Sequence, residues 1–112
     1  MEGTRLIKVG RLLQKDLGDI FQKEGPAIYK GKMITVTSVR VSPDLGLAKV
    51  YISIFPADKK EDVLLVVKQH TKTIRHELAQ RVRNQLRVIP ELAFFLDDSL
   101  DYIENIDKLL KS

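Results

Sequence analysis

A row of cationic and hydrogen-bonding side chains recurs in the middle of the sequence at intervals that suit one face of a helix. Its members are Lys72, His76, Gln80, Arg83 and Arg87, which share an arc of roughly 80° if one helix carries them all. Each can donate hydrogen bonds, and a spacing of one helical turn suits contacts with backbone phosphates rather than with bases. The pattern indicates a phosphate-binding face for nucleic acid, with a solvated helix face as the alternative.

Other basic residues extend this candidate surface. Lys8, Arg11 and Lys15 form a second stripe on the first predicted helix, and Lys68 precedes the central row. Arg75 lies at the margin of an apolar stripe, so a structural pairing with a carboxylate and a contact with nucleic acid are both open. The candidate nucleic-acid-binding set is Lys8, Arg11, Lys15, Lys68, Lys72, Arg75, His76, Arg83 and Arg87.

Charge is distributed unevenly along the chain. The net charge is +4, but residues 68–87 hold six basic residues against Glu77 alone, and residues 91–107 hold six acidic residues and no basic one. Arg81 is expected to pair with Glu77, four residues before it. Such a polarised distribution orients a protein against a polyanion. As an alternative function, the acidic segment 98–111 docks a basic protein partner.

Catalytic and metal-binding patterns are missing from the sequence. The segment His76-Glu77-Leu78-Ala79-Gln80 starts like a zinc-protease helix but carries Gln80 where the second histidine is required. Asp97-Asp98 precedes a predicted helix and fits a cap better than an acid-base pair. The chain has no cysteine, and its glycines are isolated from one another, which excludes a thiolate site and a glycine-rich phosphate loop. We therefore expect no enzyme activity, metal, cofactor or small-molecule substrate.

Length and composition predict one globular domain over residues 1–112. The sequence is 44% hydrophobic and 30% charged, and no apolar run approaches the ~20 residues that span a bilayer. The N-terminus lacks the apolar region of a secretory signal. Together with the absence of cysteine, this predicts a cytoplasmic protein without membrane contact. We also expect a monomer, although the sequence carries no signal for or against a dimer.

The first half of the chain predicts a helix followed by a β-hairpin. An apolar stripe from Leu6 to Ile20 marks the helix, which should end near Gly25-Pro26 and lead into a loop. Strands are predicted over Met33–Val41, with a bulge near Ser38, and over Leu47–Phe55. The Pro43-Asp44 turn joins them, and Gly46 is available for a positive φ.

The second half predicts two helices, a strand and a last helix. Asp58 is expected to cap a helix over 59–71, a stretch whose apolar run also fits a buried strand. The next helix runs from about Lys72 to Leu86, and a strand over Leu92–Leu96 is apolar on both faces, which predicts that both faces are covered. Asp98 or Ser99 then caps the final helix over 98–111.

The predicted order is that of a type II K-homology fold. We expect an α+β domain with α-β-β-α-α-β order plus a C-terminal helix, in which a three-stranded sheet carries its helices on one face. A K-homology module that clamps single strands has a Gly-x-x-Gly loop between its central helices. Here that junction reads Gln69-His70-Thr71-Lys72, so clamping of four nucleotides is not expected.

The sequence resembles the ribosome-binding factor A family over nearly its whole length. The matching segments are Arg5-Leu6-Ile7-Lys8-Val9, Val39-Arg40-Val41-Ser42-Pro43-Asp44-Leu45, Ala48-Lys49-Val50-Tyr51-Ile52-Ser53, Ile74-Arg75-His76-Glu77-Leu78, Pro90-Glu91-Leu92-Ala93-Phe94 and Asp97-Asp98-Ser99. The resemblance implies a K-homology-like fold, no catalysis, and binding to the small ribosomal subunit (30S) and its 16S rRNA during late maturation and cold adaptation. The chain departs from the family at His70-Thr71-Lys72, where an Ala-x-Gly kink is usual. Thr71 or Thr73 is expected to cap the third predicted helix and to end the second one without glycine.

Overall fold

The computed structural model of the protein describes residues 2–29 and 31–97. Over these residues the element order is α1 (Glu2–Ile28), β1 (Met33–Val41), β2 (Leu47–Phe55), α2 (Lys60–Gln69), α3 (Thr71–Val82) and β3 (Glu91–Leu96). The segment predicted as helix or buried strand is therefore a helix. No helix in the described ranges is both long and apolar enough to cross a bilayer. The predicted helix over 98–111 and its Asp98 or Ser99 cap lie outside the described residues.

The three strands form one mixed sheet in the order β1-β2-β3. Strand β1 is antiparallel to β2, and β2 is parallel to β3. Alternate residues of β2, from Ala48 to Ile54, are buried on one face together with the apolar stripes of all three helices. We call the opposite face, which carries Lys49, Tyr51 and Phe95, the open face. The predicted α+β fold with helices on one face of a three-stranded sheet is confirmed.

The hairpin turn is built around Asp44. The N–H of Leu45 donates to Ser42 O (2.9 Å), while Asp44 Oδ1 accepts from Ser42 Oγ (2.6 Å) and from Gly46 N (2.9 Å). The hydrogen bonds to the Asp44 carboxylate lower its pKa, and the bond from Ser42 has the largest effect. The residue with positive φ is Leu45 (60°), so the assignment of that role to Gly46 is wrong. The Asp44 carboxylate holds the Gly46 N–H, and the chain reverses direction at Leu45.

A β-bulge interrupts β1, as predicted. The register with β2 shifts between Val36, which pairs with Ile52, and Ser38, which pairs with Tyr51. A bulge inserts one extra residue and changes which face the following side chains occupy. Ile34 and Val36 before the bulge, and Val39 after it, therefore all reach the core.

Helix α1 continues to Ile28, so the prediction that it ends near Gly25-Pro26 is wrong. A proline inside a helix removes one backbone hydrogen bond and crowds the preceding turn. Tyr29 follows the helix directly and is buried, with its ring 6.0 Å from that of Phe21. Burial of these two rings holds the last turn against the core and offsets the cost of the proline.

Asp58 does not cap α2, because Lys32 engages it instead. Lys32 Nζ donates to Asp58 Oδ1 (2.8 Å), to Asp58 O (2.7 Å) and to Pro56 O (3.0 Å). The hydrogen bond to Oδ1 and the positive charge of Lys32 lower the pKa of Asp58. The helix begins at Lys60, after Lys59 in a left-handed conformation (φ 58°) with no side-chain cap. The predicted cap is therefore wrong.

Helix α3 ends at Val82 rather than at Leu86. The N–H groups of Gln85 and Leu86 both donate to Val82 O, at 2.8 Å and 2.9 Å, and the chain leaves the helical path there. Arg83 keeps helical dihedral angles (φ −58°, ψ −27°) and closes the helix. Residues 84–90 then form the connection to β3.

Strand β3 lies where it is predicted, but only one of its faces is covered by the described residues. Leu92 and Phe94 are buried in the core, whereas Phe95 is 41% exposed on the open face. Helices α1, α2 and α3 all pack on the other side of the sheet. The prediction that both faces of this strand are covered is therefore wrong for the part of the chain described here.

Candidate nucleic-acid interface

Helix α1 presents its three predicted cations to solvent. Its buried stripe faces the sheet and consists of Val9, Leu13, Leu17, Ile20 and Phe21. Lys8, Arg11 and Lys15 are exposed on the opposite side of the helix. None of the three forms an ion pair with a carboxylate of residues 2–29 or 31–97. Their charge is therefore available to a ligand.

The two flanks of α1 fix the direction of this stripe. On one flank, Gln14 Nε2 donates to the backbone oxygens of Val36 (3.2 Å) and Thr37 (3.3 Å) in β1. On the other flank, Asp19 Oδ2 lies 3.8 Å from Arg81 NH1 of α3. The cations lie between these flanks and opposite the core, so they point outward from the helical layer.

Helix α3 repeats this arrangement. Ile74, Leu78 and Val82 are buried, and the exposed residues opposite them are Lys72, His76, Gln80 and Arg83, which share an arc of roughly 80°. Gln80 Nε2 lies 3.1 Å from His76 Nε2. One flank of α3 reaches α1 through Arg81, and the other reaches the segment before β3 through Arg75. This stripe also points outward.

We call the outward cations of α1 and α3 the helical basic surface. It comprises Lys8, Arg11, Lys15, Lys72, His76 and Arg83, all exposed. Both helices pack on the same face of the sheet, so their outer sides belong to one layer. The structure thus gathers six of the nine predicted side chains on one side of the molecule.

Arg75 is turned away from this surface. Its Nε donates to Pro90 O (3.0 Å) and its NH2 donates to Ile89 O (2.6 Å), while Glu91 Oε1 lies 3.8 Å from NH2. The planar guanidinium suits two neighbouring carbonyl oxygens at once. Of the two roles left open for Arg75, the structure favours the structural one, which ties α3 to the start of β3.

Lys68 and Arg87 are exposed but lie outside α3. Lys68 occupies the last turn of α2, and Arg87 lies in the connection after α3. Because the helix ends at Val82, the prediction that one helical arc carries Arg87 with Lys72 is wrong. Both side chains extend the set of accessible cations at the two ends of α3.

Arg81 and Glu77 do not pair with each other, contrary to the prediction from their spacing. Arg81 faces Asp19 instead, and Glu77 shares a hydrogen bond with Glu24 of α1. That hydrogen bond, followed by burial and the negative charge of Glu77, raises the pKa of Glu24 to about 7. These four side chains join α1 to α3.

The junction between α2 and α3 is closed by polar side chains in place of glycine. His70 Nδ1 lies 2.9 Å from Val66 O, and Thr71 Oγ1 donates to Lys68 O at 2.8 Å. The N–H of His70 reaches the oxygens of Val66 (3.1 Å) and Val67 (3.0 Å). Neither Thr71 nor Thr73 caps the start of α3, so the part of the prediction that concerns α3 is wrong. Thr71 instead satisfies a carbonyl group at the end of α2.

A groove of about 520 Å³ borders the helical basic surface between α1 and the edge strand β1. Arg11 and Lys15 line it from the helix, and Met33 and Thr35 line it from the strand. No group of three His, Cys, Asp or Glu side chains converges within the described part of the chain as a metal site needs. The carboxylate of Asp19 also lines the groove, which therefore offers cationic and hydrogen-bonding groups beside one acid.

Arg40 and Lys49 are two exposed cations that fall outside the predicted set. They face each other across β1 and β2 on the open face, beside Tyr51. The alternation of β2 predicts the position of Lys49, but the partner of Lys49 depends on the register after the bulge. Sequence periodicity alone does not give that register.

The sequence matches known proteins over nearly its full length. The family model for Ribosome-binding factor A matches residues 5–110. A Ribosome-binding factor A of Christiangramia forsetii is 47% identical over 111 residues, covering 98% of this chain and 85% of that protein. A Ribosome-binding factor A of Cytophaga hutchinsonii is 44% identical over 110 residues, covering 98% and 83%.

Solved structures agree with these matches. The crystal structure of ribosome-binding factor A from Thermus thermophilus superposes with a TM-score of 0.68 at 25% identity, covering 81% of this chain and 94% of that one. A homology model of the Thermus thermophilus factor, fitted into a cryo-EM map of a 30S complex, gives a TM-score of 0.62 at 27% identity, covering 78% and 89%. Fold and sequence lead to one assignment. The chain belongs to the ribosome-binding factor A family.

Proposed function

We propose that this protein binds the small ribosomal subunit (30S) and contacts its 16S rRNA, as a non-catalytic factor in late assembly and cold adaptation. The carrying observation is the helical basic surface, whose cations point outward without carboxylate partners among the described residues. The related Thermus thermophilus factor has been fitted into a 30S complex, which supports the subunit as the partner.

The residues proposed to contact RNA phosphates are Lys8, Arg11, Lys15, Lys68, Lys72, His76, Arg83 and Arg87. Lysine ammonium groups act as mobile point charges, and arginine guanidinium groups bind phosphate oxygens in a forked geometry. Contacts of this kind fix position and orientation without reading bases. Arg75 is assigned a positioning role, because Ile89 and Pro90 occupy its donors.

The proposed mechanism is a shift of population. A factor that binds one RNA conformer more tightly than another raises the fraction of the favoured conformer by its differential affinity. No bond is made or broken in this process. The protein holds a region of the maturing subunit in one arrangement until it dissociates.

The salt dependence of binding tests the phosphate contacts. If about five cations neutralise phosphates, the logarithm of the affinity for purified 30S subunits should fall with log salt at a slope of roughly −3 to −5. A slope near zero would refute the proposal. Binding to a basic protein that survives ribonuclease treatment would favour docking through the acidic segment 98–111 instead.

Charge reversal identifies the surface involved. Lys72→Glu and Arg83→Glu should each weaken 30S binding and reduce the salt slope, while the free energy of unfolding changes by less than about 0.5 kcal/mol because both sites are exposed. Lys59→Glu changes the net charge equally at an exposed site before α2 and serves as the control. Equal weakening by Lys59→Glu would show that net charge alone decides binding.

A further inference from the structure

The open face of the sheet carries an aromatic pair with no described element packed on it. Tyr51 of β2 and Phe95 of β3 are register partners, and their rings stack with centroids 5.6 Å apart and planes 29° apart. Phe95 is 41% exposed, and helices α1, α2 and α3 occupy the other face. Exposed rings on a sheet are the means by which several single-stranded RNA modules seat bases.

A pair of like charges lies next to these rings. Arg40 and Lys49 are directly opposite each other across β1 and β2, and both are exposed. Like charges at opposed positions destabilise a sheet. Neither has a carboxylate partner within residues 2–29 and 31–97. An anionic ligand between them would relieve the repulsion.

One of the two rings, that of Tyr51, meets the cations in a hollow of about 260 Å³. It is lined by Arg40, Val41, Ser42, Leu47, Lys49 and Tyr51. Its volume is slightly below the about 300–1,000 Å³ of pockets for drug-sized ligands. The combination of an aromatic ring, an aliphatic side chain and two cations suits one nucleotide, with its base against Tyr51 and its phosphate between the cations.

The charges on the open face also favour one direction for a bound nucleic-acid strand. Asp97 follows β3 and accepts a hydrogen bond from Thr37 Oγ1 at 2.5 Å, and the same hydroxyl donates to Tyr51 O at 3.2 Å, at mid-length of β1 and β2. Arg40 and Lys49 attract phosphate toward the turn. Phe55, 70% exposed, lies beyond Asp97 at about 13 Å along β2 from Tyr51.

We propose that this open-face platform, consisting of Arg40, Leu47, Lys49, Tyr51 and Phe95, binds a short single-stranded segment of nucleic acid. The chemistry of the face selects the ligand class, and the choice of RNA rests on the proposed function. The site lies on the side of the sheet opposite the helical basic surface. A single protein therefore engages two RNA elements, folded phosphate backbone on the helices and an unpaired stretch on the sheet.

The test is fluorescence anisotropy with a labelled hexauridine RNA and the full-length protein. Tyr51→Ala should weaken binding at least about five-fold, since stacking one base contributes about 1–3 kcal/mol. Tyr51→Phe keeps the ring and should restore the affinity to within two-fold of the wild type. Phe55→Ala removes an exposed ring beyond Asp97 and should leave the affinity unchanged. Equal effects of Tyr51→Ala and Phe55→Ala would overturn the proposal.

Lys49→Glu separates ligand binding from folding. The introduced carboxylate faces Arg40 across the sheet, so the melting temperature should not fall below that of the wild type, while hexauridine affinity drops more than it does for Lys59→Glu. If Lys49→Glu binds hexauridine as well as Lys59→Glu does, the platform is refuted. Hexaglutamate that competes as well as hexauridine would also refute it, because it would show an acidic-peptide site.

The wild-type protein provides a readout that needs no variant. A hexanucleotide carrying 4-thiouridine should crosslink on irradiation to Tyr51 or Phe95, as mapped by mass spectrometry. Crosslinks confined to α1 and α3 would overturn the platform and leave the helical basic surface intact. Conversely, 30S binding that does not depend on salt, together with crosslinks at Tyr51, would refute RNA binding by the helical basic surface and leave the open-face platform standing.

Discussion

Two glycines of α1 provide a matched test of how closely this helix approaches the sheet. A Cβ atom placed on Gly10 would lie 2.8 Å from the backbone oxygen of Val39 in β1, whereas a Cβ atom on Gly18 would meet no heavy atom within 4 Å. The Val39 oxygen belongs to a strand and cannot rotate away as the end of a flexible side chain could. Helix and strand are therefore in backbone contact at Gly10 and separated at Gly18.

The expected effects of alanine at the two positions have opposite signs. Replacing glycine by alanine inside a helix stabilises it by up to about 1 kcal/mol, because alanine loses less backbone entropy on folding. At Gly18 nothing opposes this gain, so we expect an increase of about 0.5–1 kcal/mol. At Gly10 the gain competes with an overpacking cost of about 1–3 kcal/mol. A contact with backbone places that cost in the upper part of the range, for a net loss of about 1–2 kcal/mol.

Urea unfolding of the wild type, Gly10→Ala and Gly18→Ala measures both effects. The two variants should differ by about 1.5–3 kcal/mol in unfolding free energy at equal m-values. The melting temperatures should separate in the same sense, by roughly 4 °C for each kcal/mol. Equal stabilisation by both substitutions would refute the close contact between α1 and β1. A lower free energy of unfolding for Gly18→Ala would show that the side of α1 facing the groove is packed.

Two further substitutions test polar contacts between elements. Arg75→Lys should lower the free energy of unfolding by about 1–3 kcal/mol, since one ammonium group cannot replace the fork that reaches Ile89 O and Pro90 O. A loss of 30S affinity at unchanged stability would instead assign Arg75 to RNA. On folding, the pKa of Glu24 rises from 4.5 to about 7. Between these pH values the native state binds more protons than the unfolded state, so the free energy of unfolding should fall as the pH rises. Glu24→Gln should remove this decline in urea midpoints measured from pH 4.5 to 7, and an unchanged slope would contradict the shared hydrogen bond with Glu77.

The strands could be predicted from the sequence because their signals are local. Alternation in β2 and the residues of the Pro43-Asp44 turn fix the hairpin within a few residues. The bulge also leaves a local trace, since the apolar phase changes between Val36 and Val39. Each of these features depends on neighbours in the chain, and all three are confirmed.

The helix ends could not be predicted in the same way, because tertiary contacts decide them. α1 passes through Pro26 because Tyr29 is buried against Phe21. α2 lacks its predicted cap because Lys32, which precedes β1, holds Asp58. In both cases a distant side chain outweighs the local preference of the sequence.

Side-chain partners show the same limit. Spacing on one helix predicts that Arg81 pairs with Glu77, yet its carboxylate partner is Asp19 of α1. Periodicity reports which side of a helix a residue occupies, but not which element packs there. The outward direction of Lys72 and Arg83 was predictable, whereas the flanking contacts that orient their stripe were not.

The bulge in β1 connects the fold to the open-face platform. Before it, even-numbered residues such as Val36 face the core, and without the extra residue Arg40 would face the core as well. The bulge moves Val39 to the core side and Arg40 to the open face, opposite Lys49. An alternative register would bury a guanidinium group, which costs far more than the repulsion between two exposed cations. The hydrophobic pattern of β1 thus places Arg40 beside Lys49, and the charge pair follows from how the strand folds.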